Sequence, residues 1–510
     1  MQLPGYSEPA TNSFPLADLK EVLEKARVYC GIPGMSVAVL HKGKLIFAEG
    51  FGKRNEQEPF TVETLTSIAS ITKAFTAAAI GELVADGKAD WDTTPVNKYL
   101  PEFEVSDPVL TSQLTFADLL SHRTGLPSLD FAWFRSTEKR IDLIKRIRHV
   151  PLDPKLRSKC DYNNIMYAVA GEAAANIAGT SYERLVETKI LKPLGLSNTG
   201  FSVTEMKKRP NHAMPYDAAS FEDAQKGNFI LGYLDHIYMS DAPAGDLYSN
   251  VLDLVRWGRI IMKLGELDGK QVLNKESVTE TLSGHTFMEK TGRSSEFAPA
   301  LAYGFGWLID SYKGQVLYHH SGSNAGFISN LAIYPDADLV IAHLTNIQST
   351  GLPAFTSYYI ADELLGLPKT QDWLSDAAIK DTQVQYDWQA KEAKGDFPEQ
   401  QKDRPSSHRL EAFVGEYMSP VFGDVSICLE TRDDDETEAL YFKLRMFDSK
   451  MVHYHYDSFT TAAIDFAVEM ALLVTFQTSA DGTVVGFELK SDEIMVFKRR
   501  NVTKDKEAQE

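Results

Sequence analysis

Three short groups of residues could do chemistry together. Ser70-Ile71-Thr72-Lys73 sets a hydroxyl and an amine three positions apart, which on a helix is one face. Serine is a weak nucleophile until a base sits beside it, and a desolvated lysine can be that base. The positive end of a helix also favours negative charge developing there. Tyr162-Asn163-Asn164 adds a phenol for proton relay and an amide to orient substrate. His320-Ser321-Gly322 adds backbone that a substrate can approach closely, because glycine has no side chain in the way. In this order the groups read as a nucleophile, its proton-transfer partners and a strand closing an oxyanion site.

None of the three is specific alone. Average composition gives about two Ser-x-x-Lys matches by chance in a chain this long. A second copy exists, Ser136-Thr137-Glu138-Lys139, in a polar stretch that reads as a solvated face. Ser70 instead opens an apolar run, where a lysine must be buried with partners or must reach the surface along its stem. Tyr248-Ser249-Asn250 competes with the tyrosine motif. His41-Lys42-Gly43 and Lys290-Thr291-Gly292 compete with the histidine motif.

The elements that must position these residues follow from patterning. Leu16 to Tyr29 has helical spacing, and Met35–Leu40 with Lys44–Gly50 forms a hairpin turning at His41-Lys42-Gly43. Ser70 to Ala85 reads as a buried helix. A mostly helical region follows over roughly 95–230, including Phe116–Leu120, Tyr167–Ile177 and Tyr182–Ile190. Strands return at Tyr303–Asp310, Gln315–His319, Phe327–Tyr334 and Leu339–Leu344. Strands at both ends of one region predict a single sheet built from both, with an all-α lobe beside it and a cleft between. The stretch 371–408 reads as a partly helical linker rich in Lys, Asp, Glu and Gln. From 409 to 510 short strands recur at Gly415–Tyr417, Val425–Leu429, Ala439–Arg445, Leu472–Gln477 and Val484–Lys490. Asp433-Asp434-Asp435 and Ala480-Asp481-Gly482 mark turns, and the whole predicts a small antiparallel barrel. His453 and His455 alternate with tyrosines as a surface stripe rather than as metal ligands.

The totals narrow the function. The chain has 510 residues, 43% hydrophobic and 24% charged, with a net charge of −19. That balance is ordinary for a globular protein but repels nucleic acid and anionic membrane surfaces. No secretory signal and no apolar stretch of about 18 residues is visible. Cys30, Cys160 and Cys428 are too few and dispersed for a disulfide framework, so a cytoplasmic location is expected. No phosphate loop, dinucleotide fingerprint or Gly-x-Ser-x-Gly elbow occurs. No metal and no cofactor are expected.

The set resembles the serine β-lactamase and penicillin-recognising family, its class C and esterase branch especially, over roughly residues 15–365. The resemblance extends to Leu114-Thr115-Phe116-Ala117-Asp118-Leu119-Leu120-Ser121-His122-Arg123-Thr124-Gly125-Leu126 and to Ala242-Pro243-Ala244-Gly245-Asp246-Leu247-Tyr248-Ser249. The latter segment accounts for Tyr248 and so favours Tyr162; Gly326-Phe327 and Leu344-Thr345-Asn346 are similar to the family's last two strands, which favours His320 over Lys290. The resemblance implies an α+β sandwich with an antiparallel sheet, helices and an all-α lobe within 1–370, and a covalent acyl-enzyme. It implies Ser70 as nucleophile, with Lys73 and Tyr162 sharing acid–base work in an order that stays open, and His320 completing the catalytic set. Asn164 would bind the substrate, and the backbone N–H groups of Ser70 and Ser323 would form the oxyanion hole. Ser321, Gly322, Asn324, Tyr303 and Phe327 are candidate substrate contacts, with Trp307 beside them, although the aromatics read equally as core. Asp241 reads equally as a cleft residue and as a cap. Beyond residue 409 the chain resembles the lipocalin-like barrel that some family members carry.

One departure bears on substrate. Many relatives have lysine where this chain has His320, and histidine titrates near ~6.5, so it is a poor permanent anchor for a substrate carboxylate. The expectation is a serine hydrolase of a small-molecule ester, lactone or amide. An acyltransferase of the same fold and a non-catalytic binding or assembly protein stand as alternatives, and self-assembly into a homo-oligomer is left open.

Overall fold

The first hairpin sets the sheet. Strands β1 (Gly34–His41) and β2 (Lys44–Gly52) join through Lys42 and Gly43, both at positive φ, as a two-residue hairpin turn requires. β1 then pairs across most of the chain with a late strand, Met35 opposite Thr345. The computed structural model describes residues 18–500 apart from 153–155, 235–239, 289–295, 298–300, 396, 433–436, 446, 462–470 and 491–493. The Lys290-Thr291-Gly292 motif, the acidic turn at 433–435 and both chain ends therefore lie outside the described residues.

The chain divides into two units, residues 1–133 with 138–385, and 134–137 with 386–510. In the first, β1 and β2 join β3 (Thr286–Met288), β4 (Leu301–Tyr303), β5 (Leu308–Tyr312), β6 (Gln315–Asn324), β7 (Phe327–Tyr334) and β8 (Leu339–Thr345). The eight-stranded sheet runs β3-β4-β5-β6-β7-β8-β1-β2, and every pairing in it is antiparallel. One face packs on α1 (Leu19–Tyr29) and on a late helix, Leu352–Leu365. Leu19, Leu23, Val37, Ile341, Leu352 and Ile360 are among the residues of that core. The helix Val251–Met262 packs on β7 and β8, where a side chain on Gly258 would collide with Val340. Its Trp257 stacks on Phe75 of α2 (Thr72–Ala85), ring centroids 4.2 Å apart. The α lobe contributes α3 (Asn164–Ala178), capped by the Asn163 side chain at its start and by left-handed Gly179 at its end.

The expected strand Tyr303–Asp310 is instead two strands, β4 and β5, broken at Gly304–Trp307. Gly306 takes φ +76° there, and a Cβ on it would fall 2.6 Å from the backbone of Lys73 and Ala74. The break lets this loop lie directly on the start of α2. β6 runs on past His319 to Asn324, so His320-Ser321-Gly322 lies within a strand rather than before one.

In the second unit, eight antiparallel strands close into a barrel: Gly415–Ser419, Gly423–Glu430, Ala439–Leu444, Phe447–His455, Ser458–Thr461, Leu473–Thr478, Val484–Lys490 and Ile494–Arg499. Phe413, Phe442, Phe459, Phe476, Phe487 and Phe497 are buried in it in a run of ring contacts, among them Phe413–Phe476 at 4.5 Å and Phe487–Phe497 at 4.8 Å. Ser458–Thr461 and Ile494–Arg499 are not among the strands read from the sequence, and Phe447–His455 is read only at its His453–His455 stripe.

Candidate active site

Ser70 is presented by a strained turn. Ala69 holds φ +45°, a left-handed conformation that costs a non-glycine residue roughly 1–2 kcal/mol. Neighbours hold the turn in place. The Ile68 N–H donates to the Leu247 carbonyl (2.9 Å), and the Ser329 hydroxyl donates to the Ile68 carbonyl (2.9 Å). Gly322 of β6 lies against the same carbonyl, where a Cβ would sit 2.1 Å from the Ile68 oxygen. The strand thus reaches the Ser70 turn only because residue 322 has no side chain.

Lys73, one turn along, is fully buried. Its Nζ lies 3.0 Å from Ser70 Oγ, 2.7 Å from Asn164 Oδ1 and 3.0 Å from the Ala244 carbonyl oxygen. The alternative of a lysine reaching to the surface is therefore not what the chain adopts. Two of its partners can only accept, so a neutral amine spends both N–H bonds on Asn164 and Ala244 and turns its lone pair to Ser70. Burial pushes Lys73 down to about 7, against the opposing pull of Asp241 and Asp130. Burial holds the Tyr162 phenol above its ordinary value, against a smaller opposing pull from the Ser70 hydroxyl. The Lys73 ammonium position lies 4.8 Å from the Tyr162 ring centre.

Tyr162 itself is held by His122. The His122 carbonyl accepts from the Asp161 N–H (2.7 Å) and its Nδ1 accepts from the Asn163 N–H (3.1 Å). Its ring lies 4.2 Å from the Tyr162 ring. His122 is buried, at φ +59°, and so grips the residues on both sides of the tyrosine.

His320 is buried behind this wall. Its Nδ1 lies 2.6 Å from the Ser321 carbonyl, which can only accept, so Nδ1 carries the proton and Nε2 accepts from the Tyr303 hydroxyl (3.0 Å). Burial, then the Lys73 charge, depress it to about 3, so it is neutral near pH 7. Residues alternate across β6: His320 and Gly322 are buried, whereas Ser321 and Ser323 are exposed on the other face.

A cleft with about 300 Å³ of empty space, its mouth included, is lined by Ala69, Ser70, Trp133, Asn164, Asp241, Ala244, Gly245, Ser323 and Asn324. It brings Ser70, Asn164, Ser323 and Asn324 together as expected. Asn324 Nδ2 donates to Ser67 Oγ (3.1 Å). Three expected pocket aromatics belong to the interior. Phe327 packs with Phe60, Leu65, Met206 and Tyr248, Tyr303 is fully buried against His320, and Trp307 is fully buried. Of the competing motifs, Ser136 is buried while Lys139 is exposed, which corrects the expected solvated face for the serine. Tyr248 pairs in a small three-stranded ribbon. Asp130, Trp133, the Ala244 carbonyl and the His122 clamp were not found from sequence. Asp241 is resolved as a cleft residue: it precedes the helix Ala242–Gly245 without a side-chain cap bond. Among the described residues no cluster of potential ligands could hold a metal ion, and no helix is long and apolar enough to cross a membrane.

Fold and cleft together define a β-lactamase-type catalytic domain, and the chain belongs to the Beta-lactamase family, whose model matches residues 19–365. A domain of unknown function (DUF3471) matches 399–504, the barrel unit. The chain is similar to the unguisins hydrolase of Aspergillus campestris, 26% identical over 447 residues, covering 83% of this chain and 79% of that protein. Among solved structures it is similar to the octameric penicillin-binding protein homologue from Pyrococcus abyssi (TM-score 0.60, 21% identity), covering 95% of this chain and 100% of that one. It also resembles EstCE1, a hydrolase with promiscuous acyltransferase activity (TM-score 0.55, 18% identity), over 65% of this chain and 93% of that one. The family supports a hydrolytic role.

Proposed function

We propose that this protein is a serine hydrolase that opens a small-molecule ester, lactone or amide through a covalent acyl-enzyme on Ser70. The observation that carries the reading is Lys73, buried within 3.0 Å of Ser70 Oγ with its other hydrogen-bond directions fixed on two acceptors. In this reading Ser70 Oγ attacks the carbonyl carbon while its proton passes to neutral Lys73. The backbone N–H groups of Ser70 and Ser323 receive the developing oxyanion, a contact typically worth ~3–4 kcal/mol each. The proton then returns through the Tyr162 hydroxyl to the leaving group, and water repeats the sequence to release the acid. The depressed Lys73 and the elevated Tyr162 favour lysine as the first base, since at pH 7 the amine is substantially free while the phenol keeps its proton. His320 then acts by position, through Tyr303, rather than as a charged anchor. Asn164 holds Lys73 as well as facing substrate.

Transfer of the acyl group to an alcohol instead of water is the second reading, supported by the similarity to EstCE1. The three cysteines are free, in keeping with a reducing cytosol. The octameric relative supports self-assembly, which light scattering of the purified protein reads directly.

The test is p-nitrophenol release from short and medium acyl esters by wild type and Ser70→Ala, with the acyl-enzyme trapped for mass measurement. Loss of both in the variant is expected. Equal turnover in both proteins overturns the assignment of Ser70. Adding an acceptor alcohol separates hydrolysis from transfer by product.

A further inference from the structure

The cleft holds a charge that acyl transfer leaves unused. Asp241 is 4% exposed and lines the cleft beside Ser70, and among the described residues its Oδ1 has no hydrogen-bond partner. Its Oδ2 faces the Gly245 wall of the same cleft. Buried carboxylate oxygens are normally satisfied, so an orphan that opens on a cleft points to a donor arriving from outside.

The surrounding charges say which donor. Lys73 is the nearest cation, but its three directions go to Ser70, Asn164 and Ala244. Arg140 acts on Asp241 from a distance and is engaged by Glu172 (2.9 Å) and Glu183 (2.6 Å). Asp130 adds a second carboxylate, its Oδ1 accepting from Asn164 Nδ2 (3.1 Å) and Trp133 Nε1 (2.8 Å). Asp246 is buried near it as well. His320 brings no positive charge to the site. Burial pushes the Asp241 carboxyl up and favours its neutral form, so only an adjoining positive charge draws out the anion, and a desolvated carboxylate is matched best by a full one.

We propose that Asp241 receives an ammonium group of the substrate, so that the natural substrate is an ester or amide carrying a primary amine close to the scissile carbonyl. This rests on the serine-hydrolase reading and narrows it. It also couples recognition to activation. Asp241 stabilises the Lys73 ammonium in the free site. A substrate ammonium takes over the carboxylate, one proton leaves Lys73 for solvent, and the amine that must accept the Ser70 proton is set free.

The experiment uses matched p-nitroanilides: glycyl against propionyl, and β-alanyl against butyryl, each pair differing by ammonium for methyl. In wild type at least one amine is expected to exceed its isostere in kcat/KM by tenfold or more. N-acetylation of that substrate should remove the advantage. In Asp241→Asn the ratio within the pair should fall at least tenfold, whatever the absolute rates, whereas Asp241→Glu should keep part of it. Ratios near one in wild type, or a preference unchanged in Asp241→Asn, overturn the proposal. If Asp241→Asn does not fold, competitive inhibition of wild type by ethylammonium over ethanol decides instead, equal weakness of the two overturning it. Labelling of Ser70 by a fluorophosphonate is independent of amine preference. Labelling without preference refutes only the ammonium site, and no labelling refutes the hydrolase reading beneath it.

Discussion

His122 offers a sharp check on how the site is assembled. Replacing it with leucine removes Nδ1 from the Asn163 N–H at 3.1 Å and strands a buried donor, which costs about 1–3 kcal/mol. Leucine tolerates φ +59° less well than histidine, a difference within about 1 kcal/mol. Asparagine avoids both, since its side-chain oxygen can accept in place of Nδ1 and it tolerates left-handed backbone. The Asp161 contact is made by the main chain and survives in either variant. His122→Leu should therefore lose about 1–4 kcal/mol of stability. It should also let the Tyr162 segment drift, and a shift on the order of 1 Å costs about a hundredfold in rate. His122→Asn should recover most of both. The assay is the second-order rate of fluorophosphonate labelling at Ser70, beside a denaturant melt. A His122→Leu protein that is destabilised as stated yet labels at the wild-type rate would sink the claim that His122 positions Tyr162.

Other outcomes follow from the same geometry. The labelling rate of Ser70 should rise with pH through neutrality, because burial depresses Lys73 and the free amine is the competent form; a flat profile between pH 6 and 8 would contradict it. Stability should fall in acid through His343 and His320, both held by burial at about 3 against an ordinary 6.5. The unfolded chain takes up these protons below about 6.5 and the folded chain only near 3, so each histidine costs about 2 kcal/mol at pH 5 and nothing above pH 7.5, as urea melts will read. Asp362→Ala strips partners from Lys313 (2.7 Å), the Tyr312 hydroxyl and the Trp373 indole, and should cost about 3–5 kcal/mol in the same melts. Gly322→Ala drives a methyl group into the Ile68 carbonyl and should cut acylation at least a hundredfold, measured by p-nitrophenol release.

What the sequence made legible was local. Ser70 and Lys73 share one turn, and the apolar run around them announces burial. The hairpin at Lys42-Gly43 and the apolar runs of β1 and β8 are equally local. The barrel follows from strand spacing, but the strand Ser458–Thr461 carries only four residues, too few for alternation to register. The hidden part of the site depends on distant segments. Nothing near Asp130 says that it meets Asn164, and the Ala244 carbonyl is a main-chain atom with no signature. Phe327 was taken for a pocket residue because it follows the histidine motif, yet after the β6–β7 turn it packs with Phe60 and Leu65. His320 was placed with the reacting groups, whereas strand alternation turns it to the opposite face from Ser323.

The pairing of Met35 with Thr345 has a consequence for timing. A ribosome makes β1 first and its partner β8 only some three hundred residues later, and the Gly322 strand that abuts the nucleophile turn comes late as well. Until then the emerging chain carries Ser70, Lys73 and Tyr162 without the wall that aligns them. Such closure between distant ends is slow and entropically costly. In the proposed hydrolase, the reactivity of Ser70 would therefore wait on completion of the sheet.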